Sequence, residues 1–416
     1  MLPYEISLVD TQYAPPRNLR DWVVMYVQHL SLTDFRTYSQ VEVPLEVGVT
    51  VFVGPNGVGK TNIVEAIGYL ASLSSHRVSS DKPLIAFNAD RALVRGRLVR
   101  GTQTTSVEVE INADRGNRAR INRANPVRAS DAAGILRTVL FAPEDLALVK
   151  GDPSNRRRFL DELMVTLLPH RAGISADYER VLKQRNALLK SARASGKFTA
   201  SHEATLDVWD QHLAEAGARL LHARLLVLGQ LKPHFERAYQ QLTDGSKVAA
   251  ATYRSSLSGS DDDVEDPNDD DTLSPLGVEE LTEKFVATLL AHRKRELDRG
   301  ISLVGPHRDD VDLLLGGTIA KGYASHGETW SLALALRLGS YYLLIEDDHT
   351  PGATPVLILD DVFAELDASR REKLAAIVGG AEQVLVTAAV SDDIPESLTG
   401  HQFHVVPGGL ASGGTH

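Results

Sequence analysis

The sequence predicts an α/β protein in which a helical arm is inserted into a head of strands and helices. Strand patterns come first, helical patterns follow, and an alternation of strands and helices returns near residue 300 and persists almost to the end. Such an alternation on both sides of a helical block is typical of one α/β domain that carries an insertion. The head is therefore predicted at 25–152 plus 300–416, and the arm at 153–299.

The N-terminal part of the head is predicted to consist of strands around one helix. Residues 1–24 lack the basic start and apolar stretch of a secretory signal, so we interpret them as an N-terminal extension or a start-site artefact. Patterned sequence begins at Met25, where residues 26–32 alternate as in a strand. Two valine-rich strands within 41–53 lead through a glycine-rich turn to a helix at 61–74. Three further strands are predicted at 92–99, 104–111 and 118–123.

The arm is predicted to be helical up to Pro233, which should interrupt its helix. Apolar residues recur there at spacings of three and four, as on one helix face: Leu206, Trp209, Leu213, Ala216 and Leu220. The polar, low-complexity residues 255–275 predict a disordered loop that buries nothing. A second helix is predicted over roughly 277–298.

The composition is that of an ordinary globular protein, with 416 residues of which 43% are hydrophobic and 24% charged. Charges interrupt each apolar run before it reaches the ~18–20 residues of a membrane span, so no membrane partner is expected. The sequence contains no cysteine, which excludes disulfides, cysteine-ligated zinc, iron–sulfur clusters and a thiol nucleophile. This composition suits a reducing, cytoplasmic location.

The net charge of −11 is unevenly distributed, because residues 261–271 hold eight acidic groups and the rest of the chain carries only −3. Residues 91–128 hold nine arginines against three acidic residues, so nucleic acid is not excluded as a partner.

Arginines 156–158 lie at a predicted helix start, where the helix dipole is unfavourable for positive charge. This indicates an external anion or a carboxylate partner. His307 and Arg308 either sense nucleotide or DNA or simply follow a turn. The candidate DNA contacts are Arg118, Arg120, Arg123 and Arg128, with a solvated sheet face as the alternative.

The strongest motif is a phosphate-binding loop (P-loop), G-x-x-x-x-G-K-[ST], between a predicted strand at 49–53 and a helix. Its glycines let backbone N–H groups surround phosphates, and the helix N-terminus adds a favourable dipole. Lys60 is predicted to reach the β- and γ-phosphates, and the Thr61 hydroxyl to bind Mg²⁺. The predicted ATP-binding residues of the motif are Gly54, Pro55, Asn56, Gly57, Val58, Gly59, Lys60, Thr61 and Asn62.

Two carboxylates follow the apolar run 356–359, which predicts a strand buried on both faces. In a P-loop protein a carboxylate at this strand end holds Mg²⁺ directly or through water, so Asp360 is predicted to be a metal ligand together with Thr61. Asp361 would face the attacking water as a general base. The predicted catalytic residues are therefore Asp361 and Lys60, with ATP and Mg²⁺ as cofactors.

Segments near these carboxylates resemble the motifs of ABC-type ATPases. Residues 324–328, Ala-Ser-His-Gly-Glu, are similar to the signature motif, and residues 362–367 resemble the D-loop that follows the carboxylates. A strand at 383–387 ends where that class has its switch residue. The distance from Thr61 to the signature is too long for a transporter subunit and too short for the coiled coil of an SMC protein. The resemblance implies a signature acting in trans through Ser325, Gly327 and Glu328, a D-loop Asp367 and a switch Thr387.

Three further motifs resemble the RecF family of recombination and repair proteins, in an actinobacterial-like form. They are Phe35-Arg36-x-Tyr38, residues 141–146 leading to 156–161, and residues 305–310, Gly-Pro-His-Arg-Asp-Asp. The resemblance implies an ABC-type head of mixed sheets with flanking helices, and an ATP-binding role for Arg36. It also implies a homodimer that closes around ATP and binds double-stranded DNA at gaps and single-strand junctions. Partners implied by the family are RecO, RecR and the recombinase RecA.

Several positions depart from the usual ABC pattern. Glu328 stands where the signature has glutamine, Thr387 where the switch has histidine, and Asp361 is one methylene shorter than glutamate. No glutamine occupies 139–146. We therefore expect weak, DNA-stimulated hydrolysis that times a clamp. A scaffold that binds ATP and DNA without turnover, and a different ABC-type ATPase, remain the alternatives.

Overall fold

The computed structural model describes residues 25–411 except 79, 196–199, 244, 246, 259–271 and 351. The predicted extension at 1–24 and the centre of the predicted loop at 255–275 lie outside the described residues. The strands are β1 (Met25–Phe35), β2 (Tyr38–Pro44), β3 (Gly48–Val53), β4 (Arg91–Arg100), β5 (Gln103–Asn112), β6 (Arg118–Ile121), β7 (Val127–Arg128), β8 (Thr138–Phe141), β9 (Ala249–Arg254), β10 (Asp310–Leu315), β11 (Thr318–Ile319), β12 (Val356–Asp360), β13 (Gln383–Ala388), β14 (His401–Val406) and β15 (Gly409–Ala411).

The helices surround these strands and include one of unusual length. They are α1 (Lys60–Ser72), α2 (Leu146–Lys150), α3 (Pro153–Leu167), α4 (Ile174–Ser195), α5 (Ala200–Leu242), α6 (Val278–Arg299), α7 (His326–Asp347) and α8 (Ala368–Val378). Within the described ranges, no helix combines the length and apolarity needed to cross a bilayer.

The strands form two six-stranded sheets and one three-stranded sheet. The first sheet is antiparallel, in the order β2-β1-β4-β5-β6-β7. The second has the order β15-β14-β3-β13-β12-β8, and its strands are parallel except for the edge strand β15. The predicted α/β class with mixed sheets is therefore confirmed.

The parallel sheet lies between two apolar layers. Val356 and Ile358 of β12 pack with helix α1 and the antiparallel sheet on one face. Leu357 and Leu359 pack on the other face with α3, α5 and α7. All five residues of β12 and all six of β13 are buried, which is the burial that an apolar parallel strand requires. The core thus holds the carboxyl ends of β3, β12 and β13 side by side.

Helix α5 is 43 residues long and continues past Pro233, so the predicted interruption is wrong. Proline removes one backbone hydrogen bond, but Leu231, Phe235 and Ala238 beside it are fully buried. At the crossing with α7, a Cβ on Gly339 would lie 2.9 Å from the backbone nitrogen of Phe235. Tertiary packing at this close approach therefore outweighs the local cost of the proline.

Both ends of the predicted loop at 255–275 contribute apolar side chains to the core. Leu257 and Leu273 are buried, so the expectation that 255–275 buries nothing is wrong at both ends. Strand β9 pairs with β10 in the third sheet, although β9 lies in the predicted arm and β10 in the predicted head. The division into head and arm stays a prediction.

Candidate nucleotide-binding site

The candidate site is formed where three neighbouring parallel strands end. The P-loop follows β3, the two aspartates follow the apolar part of β12, and Thr387 lies near the end of β13, paired with Asp360 in register. The Thr61 hydroxyl donates to Asp360 Oδ1 over 3.0 Å, and the Thr387 hydroxyl donates to the same oxygen over 2.6 Å. Residues separated by about 300 positions are thus brought together by strand order alone.

The P-loop is shaped by glycines in the left-handed region and by one tyrosine. Gly59 has a φ of 113°, and a Cβ at this position would lie 2.6 Å from the Tyr38 hydroxyl, which donates to the Gly59 carbonyl. Lys60 is 3% exposed, and its ammonium donates to the carbonyls of Gly54 at 2.8 Å and Pro55 at 3.2 Å. The ammonium therefore lies over the loop, where an anion would complete its coordination.

The residues at this site fit a magnesium ion. A hydroxyl from Thr61 and a carboxylate from Asp360 are the hard oxygen ligands that Mg²⁺ prefers. In the described part of the chain, no group of three or more histidine, cysteine, aspartate or glutamate residues could hold a metal by itself. Mg²⁺ is usually held by one or two protein ligands together with substrate phosphates, and Thr61 and Asp360 provide two such ligands.

Asp361 has the surroundings of a candidate base. Its backbone is left-handed with a φ of 52°, and its N–H donates to the Thr387 hydroxyl over 2.9 Å. Burial, and then the negative charge of Asp360, raise the pKa of the Asp361 carboxyl, while Lys60 partly opposes the rise. A carboxylate with raised proton affinity beside the metal ligands is suited to accept a proton from water.

Two supporting groups at the site carry no sequence signal. His76 lies with Nε2 3.7 Å from Asp360 Oδ2, and this nitrogen is buried with no hydrogen-bond partner among the described residues. Glu65, which is fully buried on α1, accepts two hydrogen bonds from Arg36, at 2.9 and 2.6 Å. Arg36, predicted to bind ATP, is therefore held against the helix that follows the P-loop.

The predicted signature residues form a helix cap. Ser325 caps α7, where it accepts from the Glu328 N–H at 3.3 Å, and the Glu328 carboxylate accepts from the Ser325 N–H at 2.8 Å. This reciprocal pair is a capping box, which the pattern S-x-x-E encodes and our motif analysis missed. Lys247 donates to the second Glu328 oxygen at 2.6 Å, and the Arg370 guanidinium covers Gly327. Glu328 thus occupies the capping position, where glutamate and glutamine are equally suitable.

A Glu328→Gln substitution should make the free energy of unfolding depend less on pH in the acidic range. Lys247, and then the backbone of Ser325, lower the pKa of Glu328 from 4.5 to about 2. Because the pKa is lowered, the stabilisation that the Glu328 charge gives to the folded state is fully present above pH 4.5 and is lost as the pH falls towards 2. We expect the variant to be less stable by about 1 kcal/mol or less near pH 6, as for exposed ion pairs.

Urea unfolding of both proteins across pH 2–6 measures this effect. The difference in the free energy of unfolding between wild type and Glu328→Gln should shrink steadily as the pH falls. A difference that stays constant down to pH 2 would show that the Glu328 charge has no stabilising partner. Glu372→Gln, at an exposed position of α8, is a control for the loss of one carboxylate.

The D-loop residue Asp367 also caps a helix. It accepts from the Arg370 N–H at 2.9 Å at the start of α8, and its carboxylate contacts the Arg370 guanidinium. The same guanidinium donates to the Ser331 hydroxyl of α7 at 2.8 Å. Arg370 therefore joins the helix of the signature to the helix of the D-loop.

The candidate DNA contacts lie on the antiparallel sheet, apart from the P-loop. Arg118, Arg120, Arg123 and Arg128 are all exposed, on or next to β6 and β7. Arg120 lies 3.9 Å from Glu108, which also pairs with Arg95. The other three form no ion pair within the described residues. Arg120 and Arg123 line a shallow groove of about 700 Å³ on the outer face of this sheet.

The other singled-out cations have protein partners. Arg156 donates to both oxygens of buried Asp310, at 2.7 and 2.8 Å, so the carboxylate partner expected for this cluster is present. His307 hydrogen-bonds to the Tyr178 hydroxyl and to the Ser302 carbonyl. Burial lowers the pKa of His307 to about 4, which leaves the ring neutral at physiological pH. Arg308 donates to the same Ser302 carbonyl, so this motif is engaged in folding contacts.

Comparison with known proteins decides the family. The model of the RecF/RecN/SMC N terminal domain matches residues 26–400. The DNA replication and repair protein RecF of Paenarthrobacter aurescens (strain TC1) is 65% identical over 396 residues, 93% of this chain and 99% of that protein. The chain belongs to the RecF family. RecF of Streptomyces avermitilis is 54% identical over 386 residues, 92% of this chain and 99% of that protein.

A solved structure of the recombination mediator protein RecF with ATP, described in the RecFOR pathway, has the same fold. It is 26% identical, with a TM-score of 0.80 over 94% of this chain and 98% of that one. This likeness confirms the predicted ABC-type ATPase head. The predicted resemblance to RecF is confirmed as well, and the family is one of SMC-like ATPases of DNA replication and repair.

Proposed function

We propose that this chain is an ATP-dependent DNA-binding protein of recombinational repair and replication restart. ATP binding drives two copies together, and the dimer binds double-stranded DNA at single-strand gaps in the cytoplasm, at the nucleoid. RecO- and RecR-type mediators then join it in loading the recombinase RecA. The observation that carries the proposal is the convergence of Lys60, Thr61, Asp360 and Asp361 at the strand ends of a RecF-family chain.

The geometry of the site supports a role for each of its residues. Lys60 and the backbone from Gly54 to Asn62 bind the phosphates. Thr61 and Asp360 would hold Mg²⁺, which would supply charge neutralisation for phosphoryl transfer. Asp361 accepts the proton of the attacking water, and Thr387 orients both aspartates. These assignments rest on hydrogen bonds among the protein groups themselves.

The position of the signature supports the participation of a second copy. Ser325 and Gly327 belong to the capped start of α7. Within the described residues, neither forms a hydrogen bond with the P-loop. The N-terminus of α7 offers backbone N–H groups and a favourable dipole to an anion. The terminal phosphate bound to one copy is the anion that the signature of the other copy would contact.

Slow turnover is supported by the short reach of Asp361 and by the engagement of Thr387. The Thr387 hydroxyl donates to Asp360 and accepts from the Asp361 backbone, so its hydrogen-bonding capacity is largely used. This same observation favours the second candidate, a scaffold that binds ATP and DNA without turnover. Measurement of phosphate release separates the two, as described in the Discussion.

Binding to gapped duplex DNA in ATP and in ADP, at one salt concentration, tests the proposal. We expect tight binding in ATP only, and its loss in Lys60→Met, because the variant cannot hold the phosphates. Lys150→Met, at an exposed position at the end of α2, is the matched control. Equal binding in both nucleotides, unchanged in Lys60→Met, would mean that ATP does not control DNA binding. No DNA binding in either nucleotide would contradict the repair function.

The arginines of the antiparallel sheet are expected to contact DNA phosphates. Changing Arg118, Arg120, Arg123 and Arg128 to glutamine should weaken binding to all sequences alike. The slope of log K against log salt should fall by roughly 0.9 for each phosphate contact removed. Arg91 and Arg115, which pair with Glu110, provide the control substitutions on the same sheet. An unchanged slope in the fourfold variant would leave this surface a solvated sheet face.

A further inference from the structure

Phe87 is held out into solvent by an ordered loop. Its side chain is 95% exposed, the largest exposure among the large hydrophobic residues of the described chain. The loop is attached to the turn between β1 and β2, because the Ala86 N–H donates to the Asp34 carbonyl and the Arg36 N–H to the Leu84 carbonyl, both at 2.8 Å. Leu84 is fully buried and anchors the loop. An aromatic ring presented in this way is available for a planar ligand.

The ring borders a cleft that begins at the P-loop helix. The cleft has a volume of about 610 Å³ and is lined by Arg36, Asn62, Arg77 and Phe87 among others. Asn62 follows Thr61 directly, and its side chain donates to the Thr37 hydroxyl at 2.9 Å and accepts from Arg77 at 3.1 Å. Asp360 and Asp361 do not line this cleft. The cleft therefore lies beside the residue that follows Thr61, and the predicted metal ligands take no part in its walls.

Two arginines give the cleft a fixed positive charge. Arg36 donates to Glu65 and also to the Pro83 carbonyl at 3.0 Å, so it joins α1 to the loop that carries Phe87. Arg77 lies 3.5 Å from the same Glu65 and is only partly exposed. Both guanidinium groups contact the same fully buried carboxylate of Glu65, which fixes their positions. The Phe87 ring lines the same cleft. Such an arrangement suits a ligand that is anionic at one end and aromatic at the other.

We propose that Phe87 stacks on the base of the nucleotide held by the P-loop, with Arg36 and Arg77 beside the phosphate nearest the sugar. This inference rests on the proposed nucleotide function of the site. Stacking on a ring makes no hydrogen bond to the base edge, so it adds affinity without distinguishing adenine from guanine. Phe87 is thus a contact for the nucleoside, separate from the groups that bind the terminal phosphates.

Dissociation constants of ADP, ATP, GTP and inorganic triphosphate, measured by calorimetry with Mg²⁺ on the full chain, test this proposal. Phe87→Ala should weaken ADP, ATP and GTP binding by roughly 5- to 150-fold, as for other stacked bases. Binding of inorganic triphosphate, which has no base, should not change. Phe87→Trp should retain wild-type affinity, and Leu290→Ala on α6, which removes an exposed apolar side chain far from the P-loop in sequence, is the control.

Three results would overturn the proposal. If Phe87→Ala weakened ATP but not ADP, the ring would contact a second copy rather than the base. If it left both nucleotides unchanged but weakened gapped DNA, the ring would stack on DNA. Equal weakening of inorganic triphosphate would show that Phe87 acts on the phosphates. If the wild-type chain bound neither ATP nor ADP, the proposed nucleotide function would fail first, so the two failures are distinguishable.

Discussion

Replacing Asp361 with asparagine is expected to lower the rate of ATP hydrolysis by roughly 10²- to 10⁴-fold, the usual contribution of a positioned general base. Asparagine has nearly the same size, and the backbone N–H at this position can still donate to the Thr387 hydroxyl. The amide cannot accept a proton from water, so only the chemical step is affected. ATP binding and ATP-dependent DNA binding should be retained, because Lys60 and Thr61 are unchanged.

Phosphate release in a single turnover, with gapped DNA present, measures this effect. Asp392→Asn, an exposed position in the turn after β13, removes one carboxylate elsewhere and should leave the rate unchanged. If wild type and Asp361→Asn release phosphate at the same measurable rate, Asp361 is not the base. If neither exceeds the background rate, the scaffold becomes the better description of this protein.

Arg185→Met is expected to lower the free energy of unfolding by about 3–5 kcal/mol, the cost of leaving buried carboxylates without their cation. Arg185 is fully buried on α4 and donates to Asp210 of α5 and Glu296 of α6, each at 2.6 Å. Its third contact is the Ser302 hydroxyl at 2.7 Å. One guanidinium thus joins three helices. Methionine would fill its volume but would leave buried Glu296 without a cation, while Asp210 would keep only its pair with Arg293.

Urea unfolding with Arg180→Met as the control tests this value. Arg180 lies on the same helix and pairs with Asp177 in solvent, so its loss should cost about 1 kcal/mol or less. Adding Glu296→Leu to Arg185→Met should recover much of the stability, because an apolar pair can replace a buried ion pair and Asp210 keeps its pair with Arg293. A single-variant loss below 1 kcal/mol would mean that the carboxylates find other partners.

The phosphate site was predictable because its chemistry is encoded in short motifs at strand ends. The P-loop and the apolar run before Asp360 each specify a strand, and parallel strands end at one edge. Neighbouring strands in this order bring Thr61 to within 3.0 Å of Asp360. The roles of the individual residues at this site remain predictions, as do the boundaries of the arm.

The parts that were missed depend on contacts between distant segments. Strand β9 contains three consecutive alanines, which disfavour strands, and it forms because β10 pairs with it. The continuation of α5 through Pro233 depends on packing against α7, which no local pattern shows. His76 and Glu65 stand in ordinary helical or turn sequence, and only the fold places them beside Asp360 and Arg36.

Arg370 links the helix of the signature to the segment that follows the proposed base. The D-loop begins directly after Asp361 and ends at Asp367. Arg370 connects Asp367 to Ser331, which lies in the second turn of α7, the helix that Ser325 caps. In the proposed dimer, a second copy that contacts this helix would therefore also act on the short segment after Asp361. A single guanidinium, that of Arg370, would link the contact between copies to the chemistry of the site.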